Sequence, residues 1–134
     1  GDVELKTTEE VASFAATKTT VVKGNLIIGS DAEEAEKITD ISALASLKEV
    51  TGNIVIRNSY NGADLTGLDN IVSAGGLQVG STDVASKATE LHMISMKALE
   101  TLSGDISVYN DQVTYVLFEK LATIDVQCVV VTEF

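Results

Sequence analysis

The chain has 134 residues, one cysteine and a formal net charge of −11, so we expect residues 1–134 to form a single domain without an internal disulfide. Lysines and arginines number 9 against 20 acidic residues, which leaves no basic surface of the kind that nucleic acid requires and excludes it as a partner. No apolar run reaches the roughly 18 residues of a membrane span, and we expect no membrane insertion by this domain.

The first predicted element is a short amphipathic helix over about residues 7–16. Thr7 or Thr8 offers a side-chain oxygen suited to the helix N-cap, and two glutamates follow in the first turn. Val11 and Phe14 lie on one face at helical spacing. Such a helix can cover the open end of a repeat fold, where an apolar interior would otherwise meet water.

Four similar stretches follow, each with a glycine before an alternating apolar run: VKGNLIIGS, VTGNIVIRN, SAGGLQVGS and LSGDISVYN. The alternation predicts strands with one buried face, and a less similar fifth strand is expected near the C-terminus. The expected positions are near 24–29, 52–57, 75–80, 104–109 and 126–131. Their first inward residues are Leu26, Ile54, Leu77, Ile106 and Cys128. We interpret the glycines, Gly52 among them, as the turn into each strand.

Apolar residues three positions apart precede each later strand. The series are Ile38, Ile41, Leu44, Leu47, Val50; Leu65, Leu68, Ile71; Met93, Met96, Leu99, Leu102; and Tyr115, Phe118, Leu121, Ile124. A step of three is nearer the 3-10 period than the α-helical 3.6, so we expect coil or short 3-10 segments that place these side chains in a shared interior. The change from period three to period two is typical of a leucine-rich-repeat solenoid.

The segments TTEEVASFAATKTTVVKGNLIIG, ITDISALASLKEVTGNIVIRN and LTGLDNIVSAGGLQVG resemble receptor L domain-like leucine-rich repeat proteins, in particular cell-surface lipoproteins of Bacteroidetes bacteria. The resemblance implies a right-handed solenoid of about five rungs with a parallel β-sheet along one side and an N-terminal capping helix. It also implies an exported protein, extracytoplasmic and at the cell surface or outer membrane, that is used for binding or adhesion. The family brings no catalytic residues that could be transferred to this chain.

No residue pattern typical of an enzyme or a cofactor site occurs, and we predict neither. His92 has Glu90 as its nearest acid in sequence, and we interpret it as a structural histidine. Cys128 occupies the inward position equivalent to Ile54, which favours a small apolar core residue over a nucleophile. The acidic loop 30–37 could supply oxygens to Ca²⁺, but its spacing does not match an EF-hand, so we assign no metal site and favour a solvated loop.

The outward face of the strands is the predicted binding surface. Its central stripe includes Val55, Gln78 and Ser107, and the adjacent stripe places two glycines beside Arg57 and Tyr109. Because arginine and aromatic residues are frequent anchors at interfaces, we predict that these five residues bind a polypeptide or glycan ligand. The alternative is a structural spacer of a larger surface protein, without a ligand of its own.

The two ends of the chain give two further expectations. The C-terminal CVVVTEF is apolar on both faces, and an unpaired strand edge invites association. We expect a homodimer through this edge, a continuation of the solenoid, or coverage by the last residues. The sequence starts with Gly-Asp rather than Met, which we interpret as the loss of a signal segment.

Overall fold

The computed structural model describes residues 1–80, 90–109, 113–121, 123–124 and 128–130, the last two ranges as backbone only. The described ranges contain one helix, α1 (Thr8–Ala15), and a 3-10 turn at Ser42–Leu44. The strands are β1 (Val3–Leu5), β2 (Val21–Val22), β3 (Leu26–Ile28), β4 (Glu49–Ile56), β5 (Ser73–Val79), β6 (Met93–Ser95), β7 (Thr101–Leu102), β8 (Ile106–Val108), β9 (Tyr115–Leu117), β10 (Thr123–Ile124) and β11 (Cys128–Val130). No helix within these ranges is long and apolar enough to cross a membrane.

The strands form a parallel β-solenoid. Its longest ladder runs β1, β3, β4, β5, β8, β11, and every neighbouring pair is parallel. The register pairs Leu26 with Ile54, Ile54 with Leu77, Leu77 with Ile106, and Ile106 with Cys128. This is the alignment that the repeats predict, so the fold class and the strand register are confirmed.

The strand β1 is an addition to the predicted ladder. Val3 pairs with Leu26 in parallel register, and the carbonyl of Leu5 accepts a hydrogen bond from Gly29 at 2.8 Å. The strand has three residues, and Gly1 and Asp2 precede it as Gly104 and Asp105 precede β8, a repeat signal that the prediction did not use.

Two further ladders complete each coil. The first residues of β4 and β5 pair with each other and with β2 and β7 on either side, and β10 continues this row. On another side of the coil β6 pairs with β9. The coils that include β4 and β5 therefore pass through two ladders of one sheet, and β6 and β9 form a separate two-stranded sheet.

The residues three positions apart form successive tight turns around the core. The amide of Leu44 donates to the carbonyl of Ile41, and the amide of Leu47 donates to that of Leu44, each at 3.0 Å. Leu68 and Leu65 repeat the contact at 3.0 Å in the next coil. All five side chains are at most 1% exposed, and each buried leucine or isoleucine contributes roughly 1.5–3 kcal/mol. The predicted 3-10-like interior is confirmed for these two series.

Two residues predicted to point inward lie on the outside. Met93 is half-buried and Tyr115 is 51% exposed, and they pair with each other in β6 and β9. The next residues, Ile94 and Val116, take the inward positions instead. A strand sends alternate side chains to opposite faces, so the step of three does not extend across this side of the coil.

The helix α1 packs against the first coil. The Thr7 hydroxyl accepts from the Glu10 amide at 3.0 Å, and the Glu10 carboxylate accepts from the Lys6 amide at 2.7 Å, a reciprocal arrangement close to a capping box. Val11 is 3% exposed and Phe14 packs on the core. The amphipathic pattern therefore gives a helix whose apolar face covers the interior, with Thr7 as its N-cap.

Glycines stack on one another where the chain enters the main ladder; we call Gly24, Gly52, Gly75 and Gly104 the glycine corner. A Cβ built on Gly75 would lie 2.6 Å from the carbonyl oxygen of Gly52, and one on Gly104 would lie 2.5 Å from that of Gly75. Gly52 lies inside β4 and, like Gly75 and Gly104, does not have a positive φ. The interpretation of Gly52 as a turn residue is wrong, since the close approach of the neighbouring backbone is what requires glycine there.

Candidate functional site

The structure places the predicted central stripe side by side on the outer face of the main ladder. Val55 of β4 pairs with Gln78 of β5, and Gln78 pairs with Ser107 of β8. Gln78 is exposed, whereas Val55 and Ser107 are half-buried. These three side chains therefore form one continuous surface across three strands.

The middle strand of this surface carries the smallest residues. The outward positions are Gly76, Gln78 and Gly80 on and just after β5; Asn53, Val55 and Arg57 on β4; and Asp105, Ser107 and Tyr109 on β8. The flanking strands are separated by two strand spacings, about 10 Å. Two of the three β5 positions lack a side chain, and the exposed Gln78 stands between them. We call this outward surface of β5, with its β4 and β8 flanks, the β5 groove.

The groove opens into a shallow depression of ≈ 160 Å³ at its Gly76 end. Its lining residues are Asn53, Leu77, Gln78, Asp105 and Ser107. A Cβ on Gly76 would lie 2.8 Å from the Asn53 side-chain oxygen, so the Asn53 side chain, which lines the depression, packs beside this glycine. The Gln78 amide nitrogen donates to the carbonyl of Gly80 at 3.1 Å, which turns the glutamine side chain away from Gly76.

Arg57 is held by a carboxylate of the acidic loop. Its Nη1 lies 3.1 Å from Oδ2 of Asp31, whose Oδ1 accepts from the Asn58 amide at 3.0 Å. Asp31 follows β3, which lies on the opposite side of β4 from β5, so the guanidinium leans away from the groove. Arg57 and Tyr109 therefore stand on opposite walls with Gly80 between them, and the charge of Arg57 is already matched.

The other carboxylates of loop 30–37 do not converge on a common point. The Thr8 amide donates to Glu36 Oε2 at 2.6 Å, and this hydrogen bond lowers the pKa of the Glu36 carboxyl. Glu33 and Glu34 are exposed. Within the described part of the chain, no three His, Cys, Asp or Glu side chains come together in a way that could hold a metal ion.

Of the two reactive residues, His92 and Cys128, the structure describes the side chain of His92 alone. His92 is exposed, and its Nδ1 lies 3.0 Å from the backbone carbonyl of Glu90 rather than from a carboxylate. The backbone of Cys128 pairs with Ile106, but its side chain lies outside the described part of the chain. Among the described side chains, no nucleophile and base lie together.

Two residues that line the depression, Asn53 and Asp105, and the neighbouring Gly76 were not predicted as site residues. They occupy the position just after the glycine corner, where the preceding coil has Asn25. The aligned pairs Gly-Asn, Gly-Asn, Gly-Gly and Gly-Asp contained a usable signal. A polar residue recurs at this position and is missing only in β5.

Comparison with known proteins gives the family. The sequence model of the family described as Receptor L domain matches residues 18–92, more than half of the chain. This chain belongs to the receptor L domain family. The matched region includes β4 and β5, while the β8 wall of the groove lies beyond it. Neither the curated proteins nor the solved structures contain a match. Receptor L domains are non-enzymatic modules of a ligand-binding or scaffold type.

Proposed function

We propose that this receptor L domain is a non-enzymatic binding or adhesion module whose ligand, a polypeptide or a glycan, lies in the β5 groove. The observation that carries the proposal is the size contrast across three neighbouring strands. Glycine occupies two of the three outward positions of β5, Gly76 and Gly80, and beside both of them β4 and β8 carry larger polar or aromatic side chains. Concave surfaces of this kind are where ligands are most often held.

Tyr109 is the anchor on the β8 wall. Its amide donates to the carbonyl of Val79 at 2.7 Å, and a Cβ on Gly80 would lie 3.5 Å from the Tyr109 Cβ. The ring therefore stands beside a position without a side chain. Aromatic side chains contribute disproportionately to binding when a ligand covers them, so Tyr109 is the residue whose loss would weaken binding most clearly.

We place the module at a bacterial cell surface, outside the cytoplasm, in a protein like the Bacteroidetes lipoproteins that its sequence resembles. The sequence resemblance supports this setting. Protease treatment of intact cells that express the complete gene tests it. The domain should be cleaved in intact cells, whereas protection until the cells are lysed would contradict an exposed location.

The end of the main ladder is the proposed site of further association. Within the described residues β11 pairs with β8 and with no other strand, and an open parallel edge can accept another strand. We propose that a second copy or a further rung pairs there. Light scattering over a concentration series should show a dimer of the isolated domain. A strict monomer at every concentration would contradict pairing between copies.

Arrays of peptides and oligosaccharides test the binding function directly. We expect a subset of one array to retain the protein, and the Tyr109→Ala variant to bind those probes about tenfold less tightly. Tyr115→Ala is the matched control, because Tyr115 is 51% exposed on β9 and lies on another side of the coil. Retention by neither array, or equal losses in both variants, would favour the structural spacer.

A further inference from the structure

The backbone of β5 is already fully engaged in the sheet around the groove. The Leu77 amide donates to the carbonyl of Asp105 at 2.9 Å, and the Gly80 amide donates to that of Ile56 at 2.9 Å. A second hydrogen bond on the β8 side joins the Tyr109 amide to the carbonyl of Val79 at 2.7 Å. A peptide recognised as an added strand needs a free edge. A ligand in the β5 groove must therefore be recognised by side chains.

The side chains at the Gly76 end offer hydrogen-bonding groups of several kinds. Asn53 contributes an amide, Asp105 a carboxylate and Ser107 a hydroxyl, while the Gln78 amide nitrogen already donates to the Gly80 carbonyl. Asn53 and Asp105 are exposed, and within the described residues the Asp105 carboxylate has no partner. Donors and acceptors thus surround one small depression.

The charges around the groove disfavour an anionic ligand. The depression has no cationic lining residue, and Arg57 is paired with Asp31. Asp105 and the net charge of −11 add repulsion. A carboxylate accepts strong hydrogen bonds from neutral hydroxyl groups. The ligand group with the best match is therefore neutral and rich in hydroxyls that both donate and accept.

We infer that the depression at Gly76 binds one neutral sugar ring of a glycan chain, an assignment that rests on the proposed binding function of the β5 groove. Its ≈ 160 Å³ is well below the roughly 300–1,000 Å³ of pockets that enclose drug-sized ligands, so it takes one ring rather than an entire oligosaccharide. Tyr109 stands four residues beyond Asp105, about 13 Å along the strand direction. It supplies an aromatic surface for a later ring of the same chain.

Titration of isotope-labelled protein followed by two-dimensional NMR tests the inference. The probes are the neutral trisaccharides maltotriose, cellotriose, laminaritriose, mannotriose and xylotriose, with sialyllactose as a charged comparator. We expect at least one neutral probe to shift the amide signals of Gly76, Gln78 and Ser107 in a saturable way. Sialyllactose should not shift them.

Two variants and one control locate the site. Asp105→Asn should weaken binding of the active probe about tenfold or more, because it removes a charged acceptor. Gly76→Ala should weaken binding, because the added Cβ would displace the Asn53 side chain that lines the depression. The nearest obstacle to that Cβ is the Asn53 side-chain oxygen, and the next is the Asp105 carbonyl at 3.1 Å. Small adjustments therefore keep the fold. Glu100→Gln is the matched control, since Glu100 is exposed and precedes β7.

The outcomes separate the inference from the proposed function. Saturable shifts at the groove that Asp105→Asn weakens and Glu100→Gln preserves support both. Binding of array peptides that needs Tyr109, without a response to any neutral trisaccharide, overturns the sugar assignment and leaves the binding module standing. Shifts that map away from the groove, or a response to sialyllactose alone, also overturn the assignment. No binding to any sugar or peptide overturns both.

Discussion

The glycine corner and the β5 groove meet at two consecutive residues, Gly75 and Gly76, which lack a side chain for opposite reasons. A Cβ on Gly75 would meet only backbone, with the Gly52 carbonyl oxygen 2.6 Å away and its carbon 2.9 Å away. A Cβ on Gly76 would first meet the end of the Asn53 side chain, at 2.8 Å. The first glycine allows two coils to pack closely, whereas the second is buried beside a flexible side chain that lines the depression.

The two regions also differ in how they relate to the repeat. Glycine recurs at the corner in successive coils, and close stacking follows wherever it does. At the next position the coils have Asn25, Asn53 and Asp105, and only β5 has glycine. The corner is thus shared by the coils that carry Gly24, Gly52, Gly75 and Gly104, while the groove arises where one coil departs from the others. In a solenoid, such a departure is a more specific indication of function than the repeated residues are.

The largest expected effect is a difference in the free energy of unfolding between the alanine variants of Gly75 and Gly76. Gly75→Ala should lower the free energy of unfolding by about 3 kcal/mol, because backbone on the neighbouring coil cannot move aside without strain. Gly76→Ala should cost less than about 1 kcal/mol, since a flexible side chain can rotate away. Urea unfolding of both variants measures the difference. Equal losses would contradict the distinction between the corner and the groove.

A second test compares the aligned residues Asn25 and Asn53. The Asn25 side-chain oxygen accepts from the Asn53 amide at 2.7 Å, so Asn25→Ala should cost about 1 kcal/mol. The Asn53 side chain lines the depression, so Asn53→Ala should change stability by less than half as much. It should instead weaken any sugar that binds there. The comparison fails if Asn53→Ala destabilises the fold more than Asn25→Ala does.

A third and smaller effect concerns the far end of the groove. Arg57→Ala should reduce stability by less than about 1 kcal/mol, because the arginine side chain is 40% exposed and water screens its ion pair with Asp31. A double-mutant cycle with Asp31→Ala should give a coupling energy of about 0.5 kcal/mol that decreases in high salt. A coupling energy that salt does not change would contradict a solvent-screened pair.

The repeats in the sequence predict the ladder register because every strand obeys the same alternation. Leu26, Ile54, Leu77 and Ile106 could be aligned without a structure. The side chain of Tyr115 could not be placed in this way. The prediction extends the spacing of three through β9, a short strand in which side chains alternate with a period of two. Nothing in the sequence marks where the spacing changes.

Only the site residues at positions that recur from strand to strand could be predicted from the sequence. Val55, Gln78 and Ser107 occupy equivalent outward positions, and the structure pairs them. The partnership of Arg57 with Asp31 depends on the path of a loop between two coils, which local sequence does not determine. The depression beside Gly76 depends on side chains from two neighbouring strands. The sequence of any single strand therefore does not predict it.

The smallest expected effect concerns Glu36, which lies outside both the glycine corner and the β5 groove. It tests how one charged side chain contributes to stability. The Thr8 backbone amide and then its side chain lower the pKa of Glu36 below its ordinary 4.5. A lowered folded-state pKa means that the stabilising contribution is complete above the ordinary value and is lost as the pH falls through the lowered one. Glu36→Gln should therefore flatten the acid dependence of the urea midpoint slightly.

Glu34→Gln, in the same exposed loop, is the matched control for that titration and should leave the acid dependence unchanged. Part of the dependence should persist in Glu36→Gln, because the Ser42 hydrogen bonds also lower the pKa of Asp40. Neither substitution touches the β5 groove, so both variants should bind its ligand as the parent protein does. Weaker binding in Glu36→Gln alone would show that loop 30–37 contributes to the site. The boundary between scaffold and binding surface would then have to include residues 30–37.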